Sequence, residues 1–195
     1  MDAGRVSEGF LRLLETASAV LIGPGTHDVP DTSALLATLL PHIGTEAVVA
    51  LDAAAIPAIT GVRPELRPFR GRLVMTPNKG EAKDLVGRDA VAVAVARAEE
   101  AVVSMDGFVA VPDGRSWLAS RRLPGLGTSG SGDVLAGLVA GSAARSGDAA
   151  QAACWATYLH VAAGAEASRQ IGPLGFLARE LLPAIPRLMA ETTNG

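Results

Sequence analysis

Three short apolar runs each break off at a polar, turn-forming cluster. Ala19 to Ile22 ends in Gly23-Pro24-Gly25, Ala47 to Leu51 ends at Asp52, and Leu73 to Met75 ends at Thr76-Pro77-Asn78. Runs this short, bounded by Gly, Pro and Asp, read as buried strands rather than helices. Helix-like segments separate them. Val6 to Ala17 carries Phe10, Leu11, Leu13 and Leu14 on one side, Asp31 can cap Thr32 to Leu40, and Glu81 to Val86 is closed by Gly87. The Ala/Val-rich stretch Asp89 to Val102 also reads as helical. Phe108 to Val111 and Ser116 to Ala119 flank Pro112-Asp113-Gly114, a hairpin signal. Two apolar helices follow, about Asp133 to Ala144 and Ala149 to Ser168, then an amphipathic segment, Leu174 to Met189. Strands alternating with helices predict an α/β protein with a mostly parallel sheet.

Composition narrows the function. Apolar residues make up 49% of the 195, and the formal net charge is −3. A chain of this size can bury roughly 70% of the surface its unfolded form exposes, so a core can form without staples. Lys79 and Lys83 are the two lysines and the arginines are scattered. That leaves no basic stripe for a nucleic acid backbone. The one cysteine, Cys154, excludes an intrachain disulfide framework and reads as a small core residue. Trp117 and Trp155 read as packing residues. The sequence contains neither a membrane-length apolar run nor a signal-peptide core, which predicts a cytoplasmic protein.

Ligands in open α/β sheets bind beyond the carboxyl ends of the strands. The turns 23–28, 51–55 and 76–81 should therefore share one ligand-facing edge. The stretch Gly127-Thr128-Ser129-Gly130-Ser131-Gly132-Asp133 runs straight into the apolar segment Val134 to Gly141. Glycines let successive amides turn inward, and a helix start adds its positive dipole end, so this is an anion hole suited to phosphate. Asp133 at its mouth could accept a hydroxyl proton or simply cap the helix. Gly125 to Gly130 matches G-x-G-x-x-G, but it follows a hairpin late in the chain rather than the first strand of a βαβ unit. No lysine follows a glycine loop at the spacing of a P-loop. His160 reads as a satisfied helix histidine, and His27 lies in the ligand-edge turn.

Together these residues resemble the ADP- or ATP-dependent NAD(P)H-hydrate dehydratases of the ribokinase-like superfamily. The likeness runs from about Ala19 to Met189. It is carried by Gly23-Pro24-Gly25, Leu51-Asp52-Ala53, Thr76-Pro77 with Gly80-Glu81, Thr128 to Gly137, Tyr158-Leu159-His160 and Gly172 to Ala178. The resemblance implies one domain over residues 1–195, a three-layer α/β/α ribokinase-like fold shortened at its N-terminus. It also implies loss of water from a hydrated nicotinamide cofactor, driven by ADP or ATP with Mg2+. Asp133 would be the base on the substrate hydroxyl. Gly25, Asp52, Asn78 and Asp133 would bind NAD(P)H hydrate. The nucleotide would meet Ser104, Met105, Asp106 and Gly107, and also Thr128, Gly130, Ser131 and Gly132. Glu81 would hold magnesium through water.

Four departures accompany the likeness. The sequence starts shortly before the Gly23-Pro24-Gly25 strand, where the family has a further N-terminal segment, so a shortened fold is expected; Asn78 stands where the family's turn has His, and Ala54 replaces a second Asp. The Lys-Gly segment expected before the hairpin reads Val103-Ser104-Met105-Asp106-Gly107, without lysine. Two other readings fit the residues. One is a small-molecule kinase of the same superfamily, supported by the N-x-x-E spacing of Asn78 and Glu81. The other is a non-catalytic nucleotide-binding paralogue. Exposed sheet edges need cover, which predicts a homo-oligomer, either a dimer or a tetramer.

Overall fold

The computed structural model describes residues 6–88, 90–119 and 123–193. Within them the strands are β1 (Ala19–Ile22), β2 (Val48–Leu51), β3 (Leu73–Met75), β4 (Val102–Met105), β5 (Phe108–Ala110) and β6 (Ser116–Leu118). They form one sheet in the order β1-β2-β3-β4-β5-β6. β1 to β4 are parallel, while β5 and β6 complete an antiparallel meander. The register pairs Ile22 with Leu51 and Leu51 with Met75, so the three strands end level with one another.

Each residue of β2 is buried, as expected of a parallel strand covered on both faces. Alternate side chains supply two cores. Val49, Leu51, Leu73, Met75 and Val103 face one helical layer. That layer comprises α1 (Glu8–Thr16), α2 (Val29–Leu39), α3 (Ala55–Ala58), α4 (Arg63–Leu66), α5 (Lys79–Val86) and α6 (Ala92–Glu99). Val48, Ala50, Val74, Val102 and Val109 face the other, where Val139, Ala143, Ala152 and Ala156 pack. These come from α7 (Ser131–Ser146) and α8 (Ala149–Gln170). The parallel strands advance one position at a time with their crossovers on a single face, as the handedness of βαβ units requires. A third cluster around Phe176 and Leu181 ties the C-terminal segment and α9 (Ile185–Thr193) to α8.

Several sequence expectations change here. α2 begins earlier than expected, because Asp28 rather than Asp31 is its cap, accepting the Asp31 amide at 2.8 Å. The expected helix to Val102 stops at Glu99, and Val102 to Met105 is a strand. Glu100 turns the chain in the left-handed region (φ 52°), and β4 then joins β5 through Asp106 and Gly107 at φ 53° and 83°. Two positive φ values make the tight turn that suits an antiparallel hairpin. The C-terminal stretch is two short 3-10 turns and then α9, rather than one amphipathic unit. Asp89, the expected start of a helix, and Arg121-Arg122, before the Gly-rich stretch, lie outside the described residues. Trp117 and Trp155 are not core residues, at 39% and 42% exposure. Cys154 is half-buried against the α7–α8 core.

Candidate active site

The ends of β1, β2 and β3 bring Gly23 to Thr26, Asp52-Ala53 and Thr76 to Asn78 to one edge, as expected. Gly23 sits at φ 125° against the Asp52 carbonyl. Asp52 is 6% exposed, and its Oδ1 accepts the Thr76 hydroxyl at 2.7 Å. Burial raises its pKa above the usual carboxylate range, the Thr76 and Ala53 donors oppose this, and the charge of Asp133 adds to the rise.

α7 enters from the opposite layer. Its cap, Gly130, is in the left-handed region at φ 82°. A helix leaves its first amides without intrahelical partners. The Ser131 amide is taken by the Thr128 carbonyl at 3.2 Å. Those of Gly132 and Asp133 have no hydrogen-bond partner among the described residues. A methyl group at Gly132 would stand 4.0 Å from Asp52 Oδ2, and one at Gly130 would stand 4.0 Å from Asp133 Oδ2. The exposed Asp133 and the buried Asp52 thus both lie close to the helix start. The sheet edge and the Gly-rich start of α7 therefore adjoin.

The N-x-x-E pattern has a local explanation. Asn78 caps α5, its Oδ1 accepting the amides of Gly80 and Glu81 at 2.8 and 3.0 Å. Glu81 Oε2 returns to the Asn78 amide at 2.8 Å, closing a capping box. The side-chain carbonyl of Asn78 is therefore engaged in the cap. Burial raises the Glu81 pKa, the Asn78 amide opposes this, and the charges of Asp52 and Asp84 add to the rise.

Three of the residues expected to meet the nucleotide have buried side chains. Ser104 is buried, and its hydroxyl bonds Thr157 at 2.7 Å across to α8. Met105 is buried in the core. Ser131 is also buried, its hydroxyl on His160 Nε2 at 2.8 Å. Asp106 and Gly107 do stand at the turn ending β4, next to the site edge. Thr128, Gly130 and Gly132 belong to the Gly-rich approach and the α7 start. Gly25 lies in the β1 turn at φ 79° with open space above it. His27 is exposed in the same turn. Sequence reasoning missed Thr76 as the partner of Asp52, and also an ion pair between Lys79 Nζ and Asp106 Oδ2 at 3.2 Å.

His160 is the buried support beneath α7. Burial lowers its pKa from 6.5 to about 4, with Ser131 opposing. An unfolded histidine binds its proton near pH 6.5 and the folded one does not. The stability from burying it neutral is therefore full above about pH 6.5 and falls as pH drops toward 4. The loss by pH 4.5 should be about 2 to 3 kcal/mol. Urea unfolding of His160→Gln should show a flatter acid limb than wild type. Parallel limbs would contradict this role.

Among the described residues, no three His, Cys, Asp or Glu side chains cluster to hold a metal directly. No helix among the described residues is long and apolar enough to cross a membrane. Comparison with known proteins gives a consistent result. Residues 2–187 match the family model described as NAD(P)H-hydrate dehydratase. The chain is 40% identical over 195 residues to the ADP-dependent (S)-NAD(P)H-hydrate dehydratase of Xanthomonas campestris pv. campestris, covering 93% of this chain and 65% of that protein. The chain thus spans slightly less than two thirds of that relative. Two solved structures share its fold. One is an ADP/ATP-dependent NAD(P)H-hydrate dehydratase from Bacillus subtilis, co-crystallized with ATP and Mg2+ (23% identity, TM-score 0.71, 93% of this chain and 69% of that one). The other is a ribokinase-like superfamily protein from Enterococcus faecalis (21% identity, TM-score 0.76, 93% and 66%).

Proposed function

We propose, from the premise that this chain belongs to the NAD(P)H-hydrate dehydratase family, that it restores NAD(P)H from its hydrate at the expense of ADP or ATP. The observation that carries this reading is the α7 start set against Asp52 at the ends of β1 to β3. The Gly132 and Asp133 amides would receive phosphoryl oxygens, where their dipoles meet developing negative charge. Asp133 would take the proton from the substrate hydroxyl as its oxygen bonds to the terminal phosphorus of the nucleotide, whose terminal phosphoanhydride bond breaks to release AMP from ADP or ADP from ATP. Cleavage of the carbon–oxygen bond then releases phosphate, and loss of a proton from the adjacent ring carbon restores the double bond. Gly25, Asp52 and the Asn78 amide nitrogen would hold the hydrate, while Thr128, Gly130 and Gly132 would line the phosphates.

Magnesium fits this donor set. Glu81 keeps one carboxylate oxygen outside its capping box, and a hard cation that retains its waters suits such a site. Glu81 would hold the ion through water, and its chemistry would be to neutralise phosphoryl charge. The N-x-x-E pattern on which the kinase reading rests is also a helix cap, so the pattern does not by itself favour a kinase. We also read the protein as a cytoplasmic homo-oligomer. Phe108, Trp117, Leu118, Trp155 and Tyr158 are exposed large apolar side chains, and β6 is an edge strand. A monodisperse monomer in solution scattering would contradict that assembly.

The test is stoichiometry. Each reduced nicotinamide restored should be matched by one inorganic phosphate from the nucleotide. Accumulation of a stable phosphorylated alcohol instead would replace this reading with a kinase.

A further inference from the structure

A lysine at the first position of a helix is unfavourable, because its charge opposes the positive end of the dipole. Lys79 occupies that position in α5, directly after the Asn78 cap. Its side chain is 64% exposed and reaches the turn between β4 and β5, where Nζ lies 3.2 Å from Asp106 Oδ2. β3 and β4 are parallel neighbours, so both residues stand at the strand ends, on the edge that carries Asp52.

That edge is rich in carboxylates. Burial is the main cause of the raised pKa values of Asp52 and Glu81, and the charge of Asp133 adds to the first and that of Asp52 to the second. A polyphosphate approaching them meets repulsion that the amides of Gly132 and Asp133 offset only in part. We infer that Lys79 is a specificity-determining cation for the nucleotide phosphates, and that Asp106 holds it at the rim and competes with the nucleotide for it. The inference rests on the nucleotide-dependent reading above. An ion pair this exposed contributes little and is easily exchanged for a more highly charged partner. A phosphate with several negative oxygens is such a partner.

The experiment is calorimetric binding of Mg-ADP, Mg-ATP and adenosine to wild type and four variants. Lys79→Ala should weaken binding of both nucleotides about tenfold and leave adenosine unchanged. Lys79→Arg should recover most of the loss. Asp106→Asn, which frees the lysine, should tighten nucleotide binding about threefold. The double variant Lys79→Ala/Asp106→Asn should bind like Lys79→Ala. Equal nucleotide affinity in wild type and Lys79→Ala would overturn the inference and leave the proposed function standing. Weakening by Asp106→Asn to the level of Lys79→Ala would overturn the competition. Absence of nucleotide binding by wild type would remove both readings.

Discussion

Asp133→Asn is expected to lower turnover of NAD(P)H hydrate about a thousandfold, within the range typical for loss of a positioned proton acceptor. Asparagine keeps the shape of the side chain but cannot accept the hydroxyl proton. Asp133 is exposed, at the third position of α7, and its side chain makes no hydrogen bond among the described residues. The variant should therefore fold as wild type does. Nucleotide affinity should hold or rise slightly, because a negative charge beside the phosphates has gone. The loss should appear in kcat rather than in KM for the nucleotide. An equal loss of nucleotide affinity would make Asp133 a binding residue, and near-wild-type kcat would remove it from the chemistry.

The second large effect is structural. At Gly23 the backbone is at φ 125°, and a methyl group would lie 1.8 Å from the Asp52 carbonyl oxygen and 2.9 Å from Ala55 Cβ. The nearest obstacle is backbone, so no rotamer change relieves it. Gly23→Ala must separate β1 from the end of β2 or force the turn open. The cost should be about 4 kcal/mol, combining overpacking with a strained dihedral. That corresponds to a fall in Tm on the order of 10 °C. Because the clash is with Asp52 itself, activity should fall even where the variant remains folded. Gly25→Ala is the control. Its φ of 79° is also positive, but the space above it is open. It should cost about 1 to 2 kcal/mol. Equal thermal stability of the two variants would refute the close approach at Gly23.

The strands ending at the site were legible because each combines a short apolar run with a turn-forming terminus. The level strand ends then follow from the parallel order of the sheet. The start of α7 was legible for a similar reason, since glycines followed at once by an apolar helix permit few geometries. β4 was harder. Ala101-Val102-Val103 continues an Ala/Val-rich helix, and the residue that stops the helix is Glu100 rather than a glycine. The signal that could have separated them is Asp106-Gly107 before Phe108-Val109, a strong hairpin dipeptide. Side-chain commitments were out of reach for another reason. Ser104 meets Thr157 53 residues away, and Ser131 meets His160 29 residues away. Local patterning carries no information about such pairs. The same holds for Lys79 and Asp106, which meet because neighbouring strands end together. The Asn78–Glu81 spacing was legible in the sequence as a metal-and-phosphate motif, and the hydrogen bonds add that it closes a helix cap.

The most direct measurement is absorbance at the reduced-nicotinamide band, with purified protein, NADPH hydrate and magnesium, and with ADP, ATP or no nucleotide in parallel. The expected result is a rise that requires nucleotide and magnesium. No rise from folded protein that binds nucleotide by calorimetry would contradict the assignment of this site to hydrate dehydration.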